Sequence, residues 1–186
     1  MPEDAFLETH RMVKNIYPQL SGYYNFNTHT QLLADSSKKE FNAIKSAVFD
    51  FIVQNVSSYV FSDVAEFLKK HSKKNSCVLI TMTFDEDEYQ FRKVAYSGLA
   101  DYFSDIIYTA GEPKSLMIKT YMQQLRDPQG MAFLDDRRDW ITEAVLQNPG
   151  LVGAHMKRKD RRHDEDSGEH VPVTNMAEFD QLLTSL

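Results

Sequence analysis

The spacing of apolar residues changes character near residue 76. Before that point they recur at intervals of three and four, which lines side chains up on one face of an α-helix. Phe6, Leu7, Val13 and Ile16 fall on one such face. Pro18, Ser21 and Gly22 interrupt it, and the aromatic, Asn-rich stretch Gly22–Thr30 reads as a loop. A stronger helix is predicted from Lys38 to about Val56, with Phe41, Ile44, Ala47, Val48, Phe51, Ile52 and Val56 as its apolar stripe. Ser62 or Asp63 is suited to cap a further helix carrying Val64, Phe67 and Leu68.

After Ser76 the apolar residues come in short runs instead. Cys77–Met82 is nearly all apolar and rich in β-branched residues, the pattern of a strand buried on both faces. Asp105–Thr109, Met131–Leu134, Leu151–Ala154 and Val171–Val173 read as further strands. Helical stretches lie between and after them: Glu86–Ser97 ending at Gly98, Pro113–Leu125, Arg137–Gln147 and Met176–Leu183. Strands alternating with helices imply βα units and a parallel sheet. The expected architecture is therefore α/β, with residues 1–58 a helical segment and residues 59–186 an α/β core. In such sheets a ligand sits at the carboxyl ends of the strands.

Composition narrows the possibilities only a little. Hydrophobic residues make up 42% and charged residues 26%, which suits a folded domain and not a disordered tail. A net charge of −6 argues against a nucleic-acid binder, which needs a basic face to displace counterions. It leaves room for a small phosphorylated substrate, because a few local donors suffice for one phosphate. Cys77 is the single cysteine, so no disulfide forms within the chain. Met1–Glu8 lacks the basic start and apolar run of a signal peptide, and no stretch is apolar enough to span a bilayer. A cytoplasmic location without membrane contact is the expectation.

The strand tips carry the candidate chemistry. Thr83, with Thr81 two residues earlier, offers a hydroxyl that can donate to a phosphate oxygen. In Gly111-Glu112-Pro113-Lys114-Ser115, Pro113 suits the first turn of a helix and brings Lys114 beside a strand tip. A lysine is disfavoured at that end of a helix, where the dipole is already positive, so an anion is a reason for it to be there. Asp135 and Asp136 follow the third strand. Adjacent carboxylates raise each other's pKa unless solvated or bridged by a cation, and Mg2+ is commonly held by one or two carboxylates plus waters and a phosphate.

Taken together, these residues resemble the haloacid dehalogenase-like (HAD) hydrolases. Thr83 is followed by Gly98-Leu99, Tyr102-Phe103 and the apolar pair Ile106-Ile107, as after the family's second motif. Lys114 matches the third motif, and Phe133-Leu134-Asp135-Asp136-Arg137-Arg138-Asp139 the fourth in its paired-aspartate form. The match extends over roughly residues 58–186. It implies a Rossmannoid three-layer sandwich, with residues 1–58 as a cap-like segment. It also implies an Mg2+-dependent phosphatase mechanism through an aspartyl-phosphate. Thr83 would orient the phosphoryl group, Lys114 would offset its charge, Asp135 and Asp136 would stand on the metal side, and Asp139 would support that shell. The family's central first strand, which ends in the nucleophilic Asp-x-Asp, has no counterpart here: Asp4 follows no strand, and Asp50 lies inside a helical pattern. A protein that begins further upstream, or a binding protein without turnover, is the corresponding expectation.

Other features are assigned to the surface or the core. His155, His163 and His170 border a charged loop, and the basic run Lys157–Arg162 is offset by Asp164-Glu165-Asp166. Asp85–Glu88 suits a helix N-terminus. Tyr17, Tyr23, Tyr24 and Phe26 either line a substrate entrance or pack the helical segment, and Cys77 is an inert core thiol.

Overall fold

The computed structural model describes residues 8–13, 25–72, 77–83, 88–125, 129–158 and 170–186. Asp4, Tyr17, Tyr23, Tyr24, Asp85–Asp87 and His163 lie outside these residues, as does the charged run from Lys159 to Asp166. After a helical stretch at residues 8–13, the elements in order are α1 (Phe26–Ser37), α2 (Phe41–Asn55), α3 (Ser62–His71), β1 (Val78–Thr81), α4 (Glu88–Tyr96), β2 (Asp105–Tyr108), α5 (Lys114–Gln124), β3 (Ala132–Asp135), α6 (Arg138–Gln147), β4 (Val152–Met156), β5 (Val171–Val173) and α7 (Met176–Thr184). They fall into two compact units, residues 1–59 with 87–98, and residues 60–86 with 99–186. No described helix is long and apolar enough to cross a membrane.

In the first unit, Phe26, Phe49 and Ile52 form a small apolar core with Val48, Val56 and Tyr89 packed against it. Phe26 stacks on Phe49 and on Tyr89, with ring centroids 5.2 and 4.8 Å apart. Arg92 lies 4.3 Å over Phe49 and is held by Glu88, which also bridges to Lys45 at 3.0 Å. These contacts tie α4 to α1 and α2. The expected loop over Gly22–Thr30 is corrected from residue 26 onward, where α1 begins. Asn25, which counted toward a loop, is its N-cap: its side chain accepts from the Thr28 N–H at 2.8 Å.

The second unit holds the five strands of the described residues, every paired neighbour parallel. They form two sheets, β1–β2 and β3–β4–β5, and no ladder joins β1 to β3 among the described residues. Alternation along β3 defines two faces. Ala132 and Leu134 pack with Phe67 and Leu68 of α3 and with Met176 and Phe179 of α7. Phe133 turns to the other face, toward Ile118 of α5 and Ala144 of α6. Both apolar clusters also take in residues from or beside β1: Cys77 on the first face and Ile80 on the second. The two sheets thus share the same helical layers, which makes them halves of one three-layer α/β sandwich. β4, flanked on both sides, is almost wholly buried, whereas β1 is half-buried along its whole length despite its apolar sequence.

Two local features fix this packing. Gly153 faces α6 so closely that a Cβ there would stand 2.5 Å from Ile141 Cγ2 and 2.9 Å from Val145 Cγ2. Asp63 is not the cap of α3. Phe61 takes that place, and the Asp63 carboxylate accepts from the Met176 N–H at 3.0 Å and from Arg158 at 2.9 and 3.0 Å. Burial raises the Asp63 pKa, but these hydrogen bonds outweigh it and hold the carboxyl below its usual value. His155 is not part of a solvated loop either: it is buried in β4, with its ring 5.2 Å from that of His170. Cys77 is half-buried against the first cluster, and burial pushes its thiol pKa up, as an unreactive thiol requires.

Candidate functional site

Within each sheet the strands run parallel, so the carboxyl tips of β1 and β2 lie together, as do those of β3, β4 and β5, and the Lys114–Asp135 contact joins the two sets. Thr83, Lys114 and Asp135 stand at or beside three of these tips: Thr83 two residues past β1, Lys114 at the start of the helix after β2, and Asp135 as the last residue of β3.

Thr83 is built into the turn after β2. The ladder between β1 and β2 continues with the Thr109 N–H donating to the Thr81 carbonyl at 3.1 Å and the Gly111 N–H donating to the Thr83 carbonyl at 2.7 Å. The Thr83 N–H donates to Thr109 Oγ1 at 3.0 Å, and the Ala110 N–H donates to Thr83 Oγ1 at 3.0 Å. Ala110 and Gly111 have φ of 48° and 90°, a tight left-handed turn that directs the chain into Pro113 and α5. The Thr83 hydroxyl therefore accepts from the backbone, and its own proton remains available to a second acceptor. The side chain is 2% exposed.

Lys114 and Asp135 meet directly. Lys114 Nζ donates to Asp135 Oδ2 at 2.7 Å, and the two side chains are 11% and 6% exposed. The other carboxylate oxygen, Oδ1, accepts from the Arg137 N–H at 2.8 Å. Burial pushes the Asp135 carboxyl above the usual carboxylate range. Lys114 and the Arg137 N–H pull it back, and neighbouring Asp136 adds to the rise. Asp136 itself is exposed. The first turn of α5 is anchored from α6: the buried Ser115 hydroxyl donates to Glu143 at 2.8 Å, and Asn148 donates to the Ser115 carbonyl at 3.1 Å.

Of the residues the sequence singled out, the structure joins Lys114 to Asp135, places Asp136 beside them, and seats Thr83 in the turn that leads to Lys114. No hydrogen bond links Thr83 to Lys114 or Asp135 among the described residues. Asp139 is paired with Arg137, its Oδ1 accepting from Arg137 Nε at 3.0 Å. Asp50 is exposed within α2 in the first unit. Sequence reasoning missed Trp140, whose ring lies 4.6 Å from Lys114 Nζ and 4.4 Å from Arg137 Cζ. The available signal was a tryptophan three residues after the arginine that follows Asp-Asp.

As to a metal, the described residues hold no cluster of three or more His, Cys, Asp or Glu side chains. Asp135 and Asp136 offer two adjacent carboxylates, which fits Mg2+, an ion that usually keeps several waters and a substrate phosphate in its shell. It fits a structural zinc site poorly, since that requires four protein ligands.

No family model and no curated protein matches this chain. Solved structures do. A structure described as a haloacid dehalogenase-like hydrolase from Burkholderia xenovorans superposes with a TM-score of 0.70 at 13% identity, over 97% of this chain and 83% of that one. The HAD-hydrolase YfnB of Bacillus subtilis, bound to magnesium, superposes with a TM-score of 0.69 at 12% identity, over 98% and 84%. A 2-haloacid dehalogenase from Pseudomonas syringae gives 0.55 at 17% identity, over 100% and 82%. The fold is that of the HAD-like hydrolases.

Proposed function

We propose that the second unit carries the phosphate- and metal-handling part of an Mg2+-dependent HAD-type phosphohydrolase acting on a small phosphorylated substrate. The buried Lys114–Asp135 pair at the tip of β3 is the observation that supports it most. A buried ion pair gives little net stability, because desolvation of both ions offsets their attraction. Its value at a strand tip is chemical: a fixed positive charge beside a carboxylate in a partly desolvated site. In this reading Lys114 offsets the charge on a bound phosphate, the Thr83 hydroxyl donates to one of its oxygens, and Asp135 and Asp136 hold the ion. Bound Mg2+ would supply electrostatic stabilisation of the phosphoryl oxygens.

A covalent route also needs a carboxylate free to attack phosphorus. Among the described residues, Asp135 and Asp136 are the only aspartates at a strand's carboxyl tip, and Asp135 is engaged by Lys114 and the Arg137 N–H. The 186-residue chain is therefore expected to bind inorganic phosphate in the presence of Mg2+ while hydrolysing p-nitrophenyl phosphate little or not at all. That second property also suits a non-catalytic binder of a phosphometabolite. Calorimetric titration with inorganic phosphate, with and without Mg2+, tests the site. Saturable, Mg2+-enhanced binding weakened about tenfold or more in Lys114→Met supports it, a charge-assisted hydrogen bond being worth roughly 1.5–3 kcal/mol. Absence of binding overturns it. Mg2+-dependent hydrolysis lost in Asp50→Ala would show that the acceptor is elsewhere than the strand tips.

A further inference from the structure

We propose that Trp140 is a positioning residue that holds the Lys114 ammonium at the site through its ring face. The inference rests on the phosphate-site reading above and names a component of it. Two cationic side chains meet the indole, and one carboxylate ties them together. Lys114 comes from the first turn of α5 and stands 4.6 Å from the ring centroid. Arg137 precedes α6 and stands 4.4 Å from it. Asp135, at the tip of β3, binds both: its Oδ2 takes Lys114 Nζ at 2.7 Å and its Oδ1 takes the Arg137 N–H at 2.8 Å. Arg137 is further fixed by Asp139, which accepts from its Nε at 3.0 Å.

The arrangement meets a specific difficulty. A lysine has a flexible four-carbon stem, and at the N-terminal turn of a helix the dipole repels its charge. A carboxylate alone fixes one of its three N–H groups. The negative face of an indole attracts a cation within about 6 Å of its centroid without consuming a strong acceptor position. Lys114 is thereby held from two sides and keeps donor capacity for a phosphate oxygen. The same ring lies within reach of a second cation, Arg137, at 4.4 Å. Phe133, 6.0 Å from Lys114 Nζ, is at the limit of that range and adds little.

Trp140 is the only tryptophan in the chain, so biosynthetic replacement of tryptophan by fluorinated analogues alters this one ring. Fluorine withdraws electron density from the ring face and barely changes its shape. Binding of inorganic phosphate with Mg2+ is expected to weaken stepwise from tryptophan to mono- and difluorotryptophan, by about tenfold over the series. A merely structural tryptophan would leave phosphate affinity unchanged along the series, and that result would overturn the proposal. A second measurement separates this inference from the reading it rests on. The Lys114 Cε protons should show an upfield ring-current shift by NMR, retained in Trp140→Phe and lost in Trp140→Leu. If the wild-type protein binds no phosphate, the phosphate-site reading fails and this shift alone decides the positioning: its presence supports it, and an ordinary Lys114 shift in the wild type overturns it.

Discussion

At the scale of single residues, the site is governed by the cost of burying charge. Asp135 and Lys114 are both largely withdrawn from water and stand 2.7 Å apart. Replacing Lys114 by Met leaves Asp135 buried without its cation, which costs about 3–5 kcal/mol when one partner of a buried pair is removed. The pH dependence follows from the direction of the Asp135 shift. Its carboxyl is already raised above the ordinary value of 3.8 by burial, and Lys114 opposes that rise. Without Lys114 it rises further. A raised folded-state pKa means the native state keeps its proton while the unfolded chain has lost it, so stability falls as pH climbs from 3.8 through the folded value. Urea unfolding should therefore show the Lys114→Met deficit largest near neutral pH and shrinking toward about pH 4, and Asp135→Asn should restore much of it. A deficit independent of pH would contradict the assignment. Thr83, Lys114 and the two aspartates were legible in the sequence because each follows an apolar run that had to be a strand. Trp140 was not, because its role depends on α5 and α6 standing side by side.

At the scale of elements, most of the βα pattern could be read because buried parallel strands leave little room for other residues. The helix α1 could not. Asn25 and the aromatic Phe26 look like loop residues until Asn25 is seen capping Thr28 and Phe26 is seen stacked between Phe49 and Tyr89, which are distant in sequence. Asp63 was misplaced for a similar reason: its partners Met176 and Arg158 lie more than 90 residues away, at separations of 113 and 95. Gly153 is the element-scale counterpart of the buried pair. It lets α6 sit directly on β4, and a Cβ at that position meets Ile141 at 2.5 Å. Gly153→Ala is expected to destabilise the second unit by about 1–3 kcal/mol, the usual cost of overpacking a core. Chemical denaturation checks this. Relief on combining it with Ile141→Leu, which keeps the volume but removes the β-branch methyl Cγ2 that the new Cβ would meet, would place the strain at that contact. Full stability of the single variant would contradict the close packing.

At the scale of the whole molecule, the second unit is a layered α/β body whose sheet is divided between β1 and β3. Among the described residues, the half-buried β1 pairs only with β2, and β3 only with β4, so each has one edge that no ladder satisfies. Unpaired buried backbone groups cost free energy comparable to lost hydrogen bonds. Hydrogen exchange should show protection at alternate amides of β1 and β3 and continuous protection along β4, which is paired on both sides. Uniform protection of all three strands would show that the edges are covered. The division was not legible in the sequence, since nothing in the strands themselves reveals which of them are neighbours.

The central claim is that the tips of β1, β2 and β3 serve one phosphate, and the single tryptophan beside Lys114 reports on it. The most direct test is Trp140 emission during titration with inorganic phosphate in Mg2+, compared with Thr83→Val and Lys114→Met. The account predicts a saturable change in emission in the wild type, displaced to higher phosphate in Thr83→Val and abolished in Lys114→Met. Phosphate binding that leaves the emission unchanged, or that is indifferent to both substitutions, would contradict it.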